Sequence, residues 1–134
     1  YGQPQVEAGA AVFVIWSDMN DTLAKVEDTI HPGMSDRAAE QAKSMRDIFA
    51  GMGEENAEKW AFAEANIFLG FLLLAIAERG YGSSAMLGFE PDKVRALLGL
   101  PDHAQIPALV AVGKPDEEGF PHHRHGLDRF VTWR

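Results

Sequence analysis

The residues best placed to do chemistry run from Gly80 to Pro91: Gly80-Tyr81-Gly82-Ser83-Ser84-Ala85-Met86-Leu87-Gly88-Phe89-Glu90-Pro91. Gly80, Gly82 and Gly88 allow backbone conformations closed to other residues and let a flat ligand come close to the main chain. The segment is bracketed by helix-forming sequence and is too apolar for an ordinary solvated loop. It offers backbone N–H and C=O groups, rather than side chains, to something planar. Met86 and Leu87, taken alone, would default to core packing.

The tail is the second candidate, because His122, His123 and His125 surround Arg124. A metal site, a polar tail and a phosphate grip are the three readings. No carboxylate stands at ligand spacing, which weakens the metal reading. A permanent cation with imidazole and backbone donors suits an anionic phosphate better. Phe49 and Trp60 could wall a pocket, although such aromatics more often simply pack a core. No carboxylate dyad, serine triad or P-loop is visible. Gly80-x-Gly82 lacks a third glycine and follows a helix, so it is no dinucleotide fingerprint.

The elements that must position these residues belong to one domain of 134 residues, 46% hydrophobic and 24% charged. The absence of cysteine excludes disulfides, thiolate catalysis and cysteine-ligated metals, and fits a cytoplasmic location. A net charge of −8 argues against nonspecific nucleic-acid or anionic-membrane binding. Eleven acids and five bases lie between Asp18 and Glu64, so −6 of that charge sits in this stretch as a solvated surface.

Ala10 to Trp16 reads as a buried strand, and Gly2 to Ala8 as the chain's approach to it. A short helix and a break at Pro32-Gly33 follow. Ser35 or Asp36 should cap a helix to about Phe49, stopped by Gly51 and Gly53. A longer helix spans about Glu54 to Arg79. Its half from Ile67 to Ala77 is apolar on all sides, which suits a domain centre or a subunit interface. At about eleven residues that run is short for a membrane span. Pro91 opens a further helix closed by Gly99. A second strand covers Ile106 to Gly113, with its proline near the start. Phe130 to Trp133 could be a last strand. The fold class is α+β, a small mixed or antiparallel sheet flanked by helices with a long central apolar helix.

Taken in order, several pieces resemble the nitroreductase family. They are Gly2-Gln3-Pro4-Gln5-Val6-Glu7-Ala8, Trp60-Ala61 through Phe71-Leu72-Leu73-Leu74-Ala75, Gly80-Tyr81-Gly82-Ser83, and Met86-Leu87-Gly88-Phe89-Glu90-Pro91-Asp92-Lys93-Val94. Ala96-Leu97-Leu98-Gly99-Leu100-Pro101 and Ala111-Val112-Gly113-Lys114-Pro115 continue the match. The resemblance implies an FMN enzyme that takes hydride from NADH or NADPH and reduces nitroaromatics, quinones or similar acceptors by a ping-pong route. It implies a homodimer with flavin at the interface, and no catalytic acid–base side chain. It implies that Met86, Leu87 and Gly88 bring backbone N–H groups to the flavin's N5 and O4 edge, where the protein supplies position and hydrogen bonds. The stretch Phe49-Ala50-Gly51-Met52 resembles one whose aromatic lines the substrate space, which raises Phe49 above its core reading. The zone His123-Arg124-His125 resembles the family's basic phosphate grip, with two histidines where lysine or arginine is usual.

Nothing in the chain resembles the family's Arg-rich phosphate motif or its Ser/Asn-bearing flavin loop. The resemblance implies that these lie upstream of Tyr1, making this a single nitroreductase-like domain over 1–134 without its N-terminal portion. The alternatives are a related FMN enzyme with another acceptor, such as an enone reductase or reductive dehalogenase, and a non-catalytic α+β domain built for dimerisation.

Overall fold

The structure, a computed structural model, describes residues 2–121 and 123–134. Three antiparallel strands form the sheet: β1 (Ala11–Ser17), β2 (Gly82–Met86) and β3 (Gln105–Gly113), in the order β1-β3-β2. Five α-helices accompany them: α1 (Pro4–Ala8), α2 (Met19–Ala24), α3 (Ala38–Met52), α4 (Glu54–Glu78) and α5 (Pro91–Leu98). Short 3-10 turns cover Val26–Thr29, Pro32–Arg37 and Leu127–Arg129.

β3 is central because its side chains are apolar almost without interruption, the pattern of a strand covered on both faces. Ala108 and Val110 are fully buried. Pro107 is the third residue of β3, where a ladder donor is missing. It is tolerated because the register with β1 shifts between Ile15 and Ser17, and the pairing with β2 stops at Leu109. Helix α4 lies on the sheet through Ala65, Leu69, Leu72, Leu73 and Ile76, at helical spacing, against Ile15, Val110 and Val112.

The other side of α4 is bare. Ile67, Phe68, Phe71 and Leu74 are 55–69% exposed. By length and composition this 25-residue helix, with a mean hydropathy of 1.8 over its most apolar stretch, is enough to cross a membrane. Counting only the eleven-residue run understates it, because Trp60 to Asn66 adds alanines and aromatics around a single charge. The sheet-facing residues of α4, Ala65 and Ile76 among them, join the core cluster. The chain's surface is 10433 Å², whereas a compact monomer of 14.7 kDa exposes about 6,900 Å². Exposed apolar side chains on α4 and the tail contribute to that excess.

Several elements differ from the sequence expectation. Gly2 to Ala8 contains a helix, with Pro4 in its first turn, rather than simple approach to a strand. Ser35 and Asp36 do not cap α3, since Pro32 already starts a 3-10 turn capped by His31, whose Nδ1 accepts from the Gly33 N–H at 3.0 Å. Helix α3 runs through Gly51 and ends only at Gly53. The segment after Gly80, to which the sequence reading assigned no element, contains strand β2. Gly80 takes φ +76° and closes α4, its N–H bonded to Ala77 O and the Tyr81 N–H to Ile76 O. Gly82 and Gly88 do not take positive φ. Phe130 to Trp133 forms no strand, because no sheet edge within the chain receives it.

Candidate functional site

Met86 is the last residue of β2, paired with Leu109 and 5% exposed, so the Leu87-Gly88 turn starts from a fixed point. Leu87 is 76% exposed and its carbonyl accepts from the Phe89 N–H at 3.1 Å. Pro91 then opens α5, with Glu90 bonded to Lys93 Nζ at 2.7 Å. A rigid strand end and a helix start thus hold a short exposed turn. Among the described residues the Gly88 N–H donates to no protein acceptor.

Two amides that the sequence reading gave no role stand beside this turn. A methyl group built on Gly88 would touch Gln3 Nε2 at 3.4 Å. Gln5 Nε2 donates to Gln3 Oε1 at 3.1 Å and approaches Ser84 Oγ at 3.4 Å. Helix α1 reaches this position because Gly9 lets the chain fold back onto β3. A Cβ at Gly9 would meet Gln5 O at 2.9 Å and Val112 O at 3.3 Å. The available signal was the pair of amides flanking Pro4 in a stretch that already resembled the family.

Clefts lie on either side of this amide cluster. One, about 320 Å³, is bounded by Gln3, Val6, Met86, Gly88, Lys93 and Leu109. The other, about 600 Å³, runs along Gln5, Gly82, Ser84, Val112 and Lys114. Small side chains, peptide groups and amides give donors and acceptors on a surface with little relief. Such a wall suits the polar edge of a planar heterocycle.

Phe49 lies elsewhere. It is half-buried and meets Trp60 edge-on, with ring centroids 6.1 Å apart and planes at 77°. Trp60 is 50% exposed, so the pair forms a wall and not a closed core. They border a cleft of about 730 Å³ between β1, α2, α3 and α4, with Trp16, Met45 and Phe68. Arg46 ties α2 to α3, donating to Leu23 O at 3.2 Å and Glu27 Oε2 at 2.7 Å. The hydrogen bond from Arg46 lowers the Glu27 pKa. Within one chain, Phe49 and Gly88 face separate clefts.

His123, Arg124 and His125 sit in an exposed tail whose recorded hydrogen bonds stay local. Arg124 Nη1 donates to His123 O at 2.7 Å, and His125 Nδ1 lies 3.2 Å from Arg129 Nη1. None of the three lines the clefts above. His122 lies outside the described residues. Among the described residues no group of three or more His, Asp or Glu is arranged to hold a metal.

Comparison with known proteins adds an independent line. The family model described as Nitroreductase family matches residues 6–114. A protein of Thermus thermophilus named NADH dehydrogenase is 48% identical over 135 residues, covering 100% of this chain and 66% of that protein. A nitroreductase-like protein from Streptococcus mutans superposes with a TM-score of 0.82 at 26% identity, over 98% of this chain and 66% of that one. A protein of Exiguobacterium sibiricum solved in complex with FMN gives 0.86 at 21% identity, over 100% and 67%, and speaks for the fold alone. The chain thus spans about two thirds of the length of its relatives. With the fold, the ordered motifs and this match in agreement, the chain belongs to the nitroreductase family.

Proposed function

We propose that the protein is an FMN-dependent oxidoreductase that works as a homodimer in the cytoplasm, drawing electrons from NADH or NADPH and reducing nitroaromatics, quinones or similar acceptors. The observation that carries this reading is the Leu87-Gly88 turn, whose Gly88 N–H has no acceptor among the described residues, set beside the Gln3 and Gln5 amides and the Ser84 hydroxyl. Bound flavin would supply the redox chemistry, accepting hydride from the nicotinamide and passing it to the acceptor in a second half-reaction.

The chain's own residues supply position and hydrogen bonds. The Gly88 N–H suits the electron-rich N5 edge, where a fixed donor stabilises added charge without a titratable side chain. Gln3 and Gln5 carry donors and acceptors for the polar pyrimidine side. Arg124, flanked by His123 and His125, offers a charge-assisted grip on phosphate once the tail docks. The bare face of α4 supports pairing with a second copy, and Phe49 supports an aromatic wall contributed to the acceptor space across that pairing.

The test uses the full-length protein. Purified enzyme should show a flavin absorption band that NADH or NADPH bleaches and an acceptor restores. A protein that stays colourless after incubation with FMN and desalting overturns the proposal.

A further inference from the structure

We propose that Asp18 and His103 form a protonation-dependent clasp that holds the N-terminal end of α2 against the loop before β3, and so sets the opening of the cleft that contains Phe49. The two residues are 85 positions apart, and His103 Nε2 lies 2.9 Å from Asp18 Oδ1. The inference does not depend on the flavin reading.

Each partner stands on a secured base. His103 precedes Ala104, which is fully buried and whose carbonyl accepts from Arg95 Nη1 at 3.0 Å. Gln105 Nε2 donates to His103 O at 3.0 Å. Asp18 is the N-cap of α2 and accepts from the Asp21 N–H at 3.0 Å, with its side chain only 9% exposed. Helix α2 carries Met19 and Thr22 into the cleft shared with Phe49 and Trp60. Its far end is tied by Arg46, a permanent cation. The near end is tied by a histidine, so that end responds to pH near neutrality.

All the groups facing the ring favour its charged form or are neutral. The hydrogen bond to Asp18 comes first in raising the His103 pKa above 6.5; burial opposes it, and the charges of Asp18, Glu58 and Glu54 add to it. The Asn20 amide is 3.4 Å from Nε2. Glu58 Oε2 is buried without a hydrogen-bond partner among the described residues. For Asp18, burial pulls the pKa up, but hydrogen bonds from the Asp21 N–H and His103, the ring's charge and the Asn20 N–H outweigh it, and the net shift is down.

The signs fix the window. The share from His103 is complete below the ordinary pKa of 6.5 and fades as pH rises through its raised folded-state value. The share from Asp18 is present above its ordinary 3.8 and fades as pH falls through its lowered value. The clasp is therefore closed in mild acid and loosens as pH rises above the ring's ordinary value of 6.5 and through its raised one. A neutral ring protonated at Nε2 keeps one weaker hydrogen bond.

Amide exchange of the full chain, corrected for intrinsic rates, tests this in α2 with α3 as internal reference. Wild-type α2 protection should fall several-fold, relative to α3, between mildly acidic and mildly alkaline buffer. His103→Gln keeps a donor without the charge, and Asp18→Asn keeps an equally good helix cap. Both should give weak, pH-independent protection. An unchanged pH response in either variant, or a flat response in the wild type, overturns the clasp.

Discussion

Replacing Phe71 by aspartate tests the pairing of two copies through α4. Phe71 is 69% exposed in the single chain. A phenylalanine of roughly 200 Å² therefore leaves about 140 Å² uncovered, worth ~3.5 kcal/mol at ~25 cal/mol per Å². A twofold interface counts the residue twice, giving ~7 kcal/mol, or about five orders of magnitude in Kd. Area overstates affinity between proteins, so the expected reading is a dimer weakened by about a hundredfold or more. Burying a carboxylate in that apolar face adds to the penalty. Light scattering across a dilution series, with the melting temperature at each concentration, provides the assay. The wild type should be dimeric with a concentration-dependent melting temperature, and Phe71→Asp monomeric with a constant one. A monomeric wild type, or a variant that dimerises as tightly, refutes the reasoning.

Ile76 is 7% exposed in the core cluster between α4 and the sheet, and Ile76→Ala should cost about 2–5 kcal/mol in denaturant unfolding. Gly88→Ala places a methyl against only the mobile end of Gln3 at 3.4 Å, so stability should stay within about 0.5 kcal/mol. The same variant should lose FMN in desalting, because the methyl stands where the ring must approach. Arg124→Ala removes an exposed cation with local bonds only. It should leave the melting temperature unchanged while weakening FMN binding about tenfold or more, the loss of one charge-assisted hydrogen bond, read by fluorescence titration.

Elements written into local sequence were legible. The apolar runs of β1 and β3 and the proline and glycine bounding α5 appear where expected, although β1 is an edge strand with only Ile15 buried and not the buried strand its composition suggested. Strand β2 was not legible, because Gly82-Ser83-Ser84-Ala85 has neither alternation nor β-branched residues. Its strand character comes from pairing with Leu109 to Gly113, which a local pattern does not record. Helix α1 is five residues long, too short for any period to declare itself. At the site, the glycines marked the segment and the family resemblance singled out Leu87-Gly88, but Gln5 meets Ser84 across 79 positions of sequence. The Asp18–His103 contact is more distant still. Side chains recruited by tertiary folding leave no spacing to read.

The composition itself carried a further message that only the structure makes clear. A hydrophobic content of 46% is ordinary for a globular domain, yet Val26 and Val110 are the largest side chains fully buried. Phe120 is 100% exposed, Trp133 88%, and Leu127, Phe130, Phe71 and Leu74 between 68% and 75%. The surface is about 3,500 Å² larger than that of a compact monomer of this mass. The exposed tail, the bare half of α4 and the separation of Phe49 from Gly88 are together accounted for by the proposed pairing with a second copy. On the proposed reading, this apolar surface serves contacts with a second copy, and those contacts complete the candidate site.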